Sequence, residues 1–124
     1  MKVLVADDNE DVRFMMSTLL EFRGWVVHTA TSGQEALDLL AAEDYDAAVL
    51  DQTMPPLSGL EVAGLRRDAG DETPFVLWTG WSSELDRDEI ARLRVIVMNK
   101  SDVNRLPAML ESLAADAALR ERLS

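Results

Sequence analysis

Five short apolar runs, each followed by a stretch of helical periodicity, constrain this chain more than any other feature. The runs are Val3–Ala6, Trp25–Thr29, Ala47–Leu50, Phe75–Thr79 and Val95–Met98. After the first, Val12, Met15, Met16, Leu19 and Leu20 recur at helical spacing, and Gly24 can end that helix in a left-handed turn. Ser32-Gly33-Gln34-Glu35 and Ser58-Gly59-Leu60-Glu61 both have the form of a capping box. The first opens a helix carrying Ala36, Leu37, Leu40 and Ala41 on one face, and the second opens a helix toward Asp68. A short helix is expected around Ser83–Leu93, where the apolar positions are irregular. A last helix is expected from near Asn104, with Pro107 in its tolerated first turn and Leu106, Met109, Leu110 and Leu113 on its apolar face.

Strands that are apolar on both faces and separated by helices require a parallel sheet covered on each side. Right-handed crossovers leave few topologies. The expected fold is α/β: a flavodoxin-like, doubly wound (βα)5 unit with a five-stranded parallel sheet in the order 2-1-3-4-5. The 124 residues suit one domain, residues 1–124, and a 48% hydrophobic content is enough for its core.

In an open parallel sheet, ligands bind beyond the carboxyl ends of the strands, where the strand order reverses. Asp7 and Asp8 follow strand 1, Asp51 closes strand 3, Thr79 closes strand 4 and Lys100 follows strand 5. All are therefore expected on one rim, with three carboxylates converging between strands 1 and 3. A dication would relieve their repulsion and could also hold a phosphoryl group. Hard carboxylate oxygens suit Mg²⁺, which takes one or two protein carboxylates and keeps several waters.

Each of these residues has a plainer role when taken alone. An aspartate pair after a strand can cap a helix and favour its dipole. Thr79 can be an ordinary strand residue. The set, in this order, points to a site. Lys100 is the only lysine besides Lys2, and a compact ammonium suits a point contact to phosphate. The single histidine, His28, excludes a histidine-rich metal site and reads as a strand residue, while the absence of cysteine excludes disulfide and thiolate chemistry. Trp25, Trp78 and Trp81 are expected to pack in the core or at the rim, and the methionines of the first helix to pack in the core.

Charge narrows the partners. With 23 acidic and 12 basic residues the net charge is −11, which opposes phosphate backbones and anionic lipid. No apolar run is long enough to cross a bilayer, and the N-terminus lacks the pattern of a signal peptide. A cytoplasmic protein without membrane or direct nucleic-acid contacts is expected.

Asp7-Asp8, Asp51 in "VLDQTMPPLSGLE", Thr79 in "VLWTG" and Lys100 in "VMNKSD" together closely resemble the receiver domain of two-component response regulators, across essentially the whole chain. The resemblance implies a phosphorylation-dependent signalling switch rather than an enzyme. Asp51 would be the phosphoacceptor. Asp8 would bind Mg²⁺ directly, Asp7 mainly through metal-bound water, and the backbone carbonyl of Thr53 would be a further ligand. Thr79 would hydrogen-bond a phosphoryl oxygen, and Lys100 would pair with the phosphoryl group or with Asp51. A histidine kinase or phosphotransfer protein would be the donor. An unknown downstream target would read the result by protein contact, and the receiver would be a monomer or weak homodimer. Both a stand-alone receiver and one domain of a longer chain remain open.

Four positions depart from the resemblance or qualify it. Val97 stands where the family usually has an aromatic switch residue, so no rotating ring couples Thr79 to the outer face. Ser101 replaces the usual proline after the lysine, and a cis bond before it would cost about 3 kcal/mol. The loop after Lys100 is therefore expected to run differently. Gly80 keeps the family's small residue after the threonine, and Trp81 puts an indole where side chains tune phosphate lifetime. The alternatives are a degenerate receiver that binds partners without phosphorylation and a small phosphohydrolase of the haloacid dehalogenase type. Thr53 opposes the latter, which would carry a second aspartate there.

Overall fold

The computed structural model describes residues 1–80 and 85–123. Five strands alternate with five helices: β1 (Lys2–Ala6), α1 (Glu10–Glu21), β2 (Val26–Ala30), α2 (Gly33–Ala42), β3 (Ala47–Asp51), α3 (Gly59–Asp68), β4 (Phe75–Thr79), α4 (Arg87–Leu93), β5 (Val95–Asn99) and α5 (Leu106–Leu123). All neighbouring strands pair in parallel, in the order β2-β1-β3-β4-β5. This is the expected flavodoxin-like arrangement.

The strand alternation sorts the core into two layers. Val3, Val5, Val49, Val76 and Trp78 meet Met16 and Leu20 of α1 and Leu106 and Leu110 of α5. Leu4, Leu50, Phe75 and Leu77 meet Ala36 and Leu40 of α2, Val62 and Ala63 of α3 and Leu93 of α4. β3 and β4 are buried throughout, so each is apolar on both faces until its last residue. Burying one such leucine stabilises the fold by about 2 kcal/mol. β2 is an edge strand, covered less well, and leaves Val26 exposed.

Several local expectations are refined. Met15 is exposed, while Met16 is fully buried with Leu20. Successive helix positions lie on different faces, and the sheet takes Met16. Gly24 has a φ of 83° and ends the turn after α1, as expected. Trp25 is partly buried beside the α1–α5 layer and precedes β2, which runs one residue later than the apolar run suggests. Trp78 is fully buried. Ser58 and Glu61 form a complete capping box. Ser32 caps α2, accepting from the Glu35 N–H, but the Glu35 carboxylate instead accepts from Thr31 Oγ1 at 3.0 Å.

The N-terminal part of the helix expected at Ser83–Leu93 lies outside the described residues, as does Trp81. The described part, α4, is capped by Asp86, whose side chain accepts from the N–H groups of Asp88 and Glu89. Ahead of α5, Lys100–Arg105 form a 3₁₀ segment. It starts where Asn99 Oδ1 accepts from the Ser101 N–H at 2.9 Å. Lys100 therefore passes directly from β5 into a helical turn. Pro107 falls in the first turn of α5, where its missing N–H costs nothing.

Candidate metal and phosphoacceptor centre

Parallel register brings the strand ends level. Ala6 pairs with Leu50, Asp51 with Trp78, and Thr79 with Asn99. Asp7, Asp51 and Thr79, the first polar residues past their apolar runs, thus emerge on one rim, with Lys100 just beyond β5. Asp7 and Asp51 are buried there, and Asp8 is exposed. One carboxylate oxygen from each of Asp7, Asp8 and Asp51 lies within 4.8 Å of the others. Oxygens that close can surround a single dication, so the donor set fits Mg²⁺.

Asp7 is held on all sides. Its N–H donates to the Ala30 carbonyl at 3.2 Å, and its Oδ1 accepts from the Asn9 N–H at 2.9 Å. Its own carbonyl accepts from Arg13 Nη1 at 2.8 Å, and its Oδ2 accepts from Lys100 Nζ at 3.4 Å. Asn9 in turn caps α1, accepting from the Val12 N–H at 3.0 Å. Asp8, by contrast, has no hydrogen bond or ion pair among the described residues.

Asp51 Oδ1 accepts from the Thr53 N–H at 3.3 Å and lies 3.2 Å from Lys100 Nζ. Burial, followed by the nearby Asp7 charge, pushes its carboxyl up to about 6, while Lys100 and the Thr53 N–H act in the opposite direction. For Lys100, burial works to lower the ammonium's value, but the two aspartates outweigh it and raise it. Thr79 is buried at the end of β4 and lines a groove of about 430 Å³ with Gln52, Thr53 and Met54. The rest of that groove is lined by Pro55, Pro56, Ser58, Glu61 and Leu85.

The loop geometry around Asp51 depends on close backbone packing. A Cβ on Gly59 would come within 2.5 Å of the Asp51 carbonyl oxygen, so the start of α3 seats directly against the end of β3. Gln52 Oε1 also accepts from the Leu60 N–H at 3.0 Å, tying the same two elements. All five strand-end side chains named from the sequence therefore lie on one rim, and Thr53 lies in the loop beside them. His28 lies apart, sharing a 2.9 Å hydrogen bond with Tyr45 Oη. Arg13 was not singled out from the sequence. Its signal is spacing: four residues past the Asn9 cap, a long side chain tilts back toward the helix N-terminus.

A family model described as the response regulator receiver domain matches residues 3–111. This chain belongs to the response regulator receiver domain family. The receiver is 39% identical to the response regulator MprA of Mycobacterium sp. (strain KMS) over 126 aligned residues, covering 99% of this chain and 52% of that protein. It thus spans about half the length of that relative. Among solved structures it resembles the response regulator TrrA of Thermotoga maritima in complex with Mg²⁺-BeF, with a TM-score of 0.81 and 29% identity, covering 90% of this chain and 97% of that one. It also resembles TrrA in complex with the histidine kinase ThkA, with a TM-score of 0.80 and 30% identity, again covering 90% and 97%.

Within this family frame the departures have structural consequences. Val97 is partly buried against the α2–α4 layer. Among the described residues the cis peptide bond is Pro55–Pro56, not Lys100–Ser101. Lys100 opens the 3₁₀ segment and reaches both buried aspartates.

Proposed function

We propose that this receiver takes a phosphoryl group from a phosphohistidine on a histidine kinase or phosphotransfer protein onto Asp51. The observation that carries the reading is the ammonium of Lys100 placed between the buried carboxylates of Asp51 and Asp7, at 3.2 and 3.4 Å. A carboxylate oxygen of Asp51 attacks phosphorus, and the phosphorus–nitrogen bond of the donor breaks. The leaving imidazole keeps that electron pair and takes a proton from solvent, leaving an acyl phosphate on Asp51. Asp8, Asp51 and the Thr53 carbonyl would hold Mg²⁺ directly, with Asp7 acting mainly through water. When bound, the cation neutralises charge on the phosphoryl oxygens and supports in-line positioning.

Lys100 then moves its charge from the Asp51 carboxylate to a phosphoryl oxygen, and the Thr79 hydroxyl donates to another. These contacts bias the loops after β3 and β4 between two states. To act as a switch, phosphate must favour one state by a few kcal/mol. The changed surface is the α4–β5–α5 face, read by a downstream protein. No helix among the described residues is long and apolar enough to cross a membrane. The proposal places residues 1–124 as one receiver domain working in the cytoplasm and assigns it no turnover of a separate substrate.

The test is intact mass after incubation with Mg²⁺ and acetyl phosphate, and separately with a phosphorylated histidine kinase. A gain of one phosphoryl group that Asp51→Asn abolishes supports the switch. No gain from either donor gives the degenerate, partner-binding reading instead, which Val97 and Ser101 would then favour. Continuous phosphate release from unrelated phosphomonoesters would indicate a hydrolase.

A further inference from the structure

We infer that Arg13 is a positioning residue for the cation site, acting through the main chain of Asp7; this rests on the proposed Mg²⁺ role of the acidic pocket. The side chain of Arg13 is half-buried, and its Nη1 donates to the Asp7 carbonyl at 2.8 Å. That carbonyl belongs to the peptide unit joining Asp7 to Asp8. Fixing it fixes the direction in which Asp8 leaves the strand. The Asp7 side chain is already held by the Asn9 N–H and Lys100. The Asp8 carboxylate has no partner of its own among the described residues. Its place within 4.8 Å of Asp7 and Asp51 oxygens is therefore set from the backbone side. The guanidinium also ties the first turns of α1 to the loop that carries both aspartates.

The sign of the expected effect separates positioning from simple charge. A fixed positive charge near a cation site repels the cation, so deleting it should tighten Mg²⁺ binding if charge alone matters. If Arg13 orients the Asp7–Asp8 peptide, deleting it should weaken binding despite the relief of repulsion. Outer groups that orient metal ligands typically change affinity by about tenfold or more.

The experiment is calorimetric titration of Mg²⁺ alone into the wild type, Arg13→Ala and Arg13→Lys, with melting in EDTA to verify that each variant is folded. The expected result is about tenfold weaker binding in Arg13→Ala and recovery of most of it in Arg13→Lys, which keeps a donor within reach of the carbonyl. Unchanged or tighter binding in Arg13→Ala, or equal weakness in both variants, overturns the inference. A wild type that binds no Mg²⁺ removes the site reading itself, which is a different outcome from wild-type binding that Arg13→Ala leaves intact.

Discussion

Lys100 Nζ lies 3.2 Å from Asp51 Oδ1 and 3.4 Å from Asp7 Oδ2, so one ammonium is shared between two buried carboxylates. The lysine side chain is about one-third exposed, whereas the aspartates are shielded. In the proposed mechanism the same ammonium competes with a cation before transfer and engages the phosphoryl group afterward. Lys100→Ala should therefore lower the melting temperature in EDTA, at a cost of about 1–2 kcal/mol after allowance for its partial exposure. Mg²⁺ should bind the variant several-fold more tightly, while phosphorylation slows on the order of a hundredfold. Melting in EDTA, a Mg²⁺ titration and a single-turnover phosphorylation assay measure the three effects. Weaker Mg²⁺ binding in the variant would contradict the competition.

The Asp51 carboxyl is pushed up to about 6, mainly by burial and then by Asp7, from its ordinary value of 3.8. Between those values the folded protein keeps a proton that the unfolded chain has lost, so stability falls as pH rises through that window. The loss, on the order of 2–3 kcal/mol, is complete above the folded value. Asp51→Asn removes this titration. The metal-free variant should be more stable than wild type at pH 7, by less than that amount because Lys100 loses one partner. Urea melts at several pH values between 4 and 7 should show a decline in wild type that is absent in the variant.

The chain's alternating pattern made the sheet order and the rim legible. β3 and β4 are buried on both faces, so Asp51 and Thr79 stand out as the first polar residues after unbroken apolar runs. Other features depend on contacts between distant or competing groups. Glu35 has the spacing of a complete capping box, yet Thr31 engages its carboxylate. Met15 has helical spacing but the neighbouring Met16 faces the sheet. The 3₁₀ path after Lys100 follows from the Asn99 cap, a local bond with no distinctive period. Arg13 has the spacing to reach back over the Asn9 cap, but its partner there, the Asp7 carbonyl, is fixed by the fold.

Gly59 and Gly64 both lie in α3, yet adding a methyl group should have opposite effects at the two positions. At Gly59 the new Cβ would meet the Asp51 carbonyl oxygen at 2.5 Å and Leu77 Cδ1 at 2.7 Å. At Gly64 the nearest neighbour is Leu93 Cδ1 at 3.7 Å, an ordinary contact. Gly59→Ala must push α3 off the end of β3 and should cost about 1–3 kcal/mol. It should also slow phosphorylation, because the Asp51 backbone moves with it. Gly64→Ala should stabilise by up to about 1 kcal/mol through helix propensity and leave phosphorylation unchanged. Chemical denaturation of the pair, with phosphorylation rates, tests the claim, and equal effects at the two sites would refute it.

Asp71 anchors the turn between α3 and β4, far from the acidic pocket. Its Oδ1 accepts from Thr73 Oγ1 at 2.6 Å and from the Thr73 N–H at 2.9 Å, and its Oδ2 lies 3.0 Å from Arg66 Nε. Burial works to raise its carboxyl, but the Thr73 hydrogen bonds and the Arg66 guanidinium outweigh it, so the value is lowered. A lowered acid contributes stability that is present above its unfolded value and lost as pH falls through the folded one. That is the reverse of Asp51 and lies at more acidic pH. Asp71→Asn should destabilise the protein by about 1–2 kcal/mol at pH 7. It should also flatten part of the acid-denaturation limb below pH 4, while leaving the Asp51-dependent decline in place. Acid unfolding followed by circular dichroism checks both, and a variant with the wild-type acid limb would show that the Asp71 contacts do not couple folding to its charge.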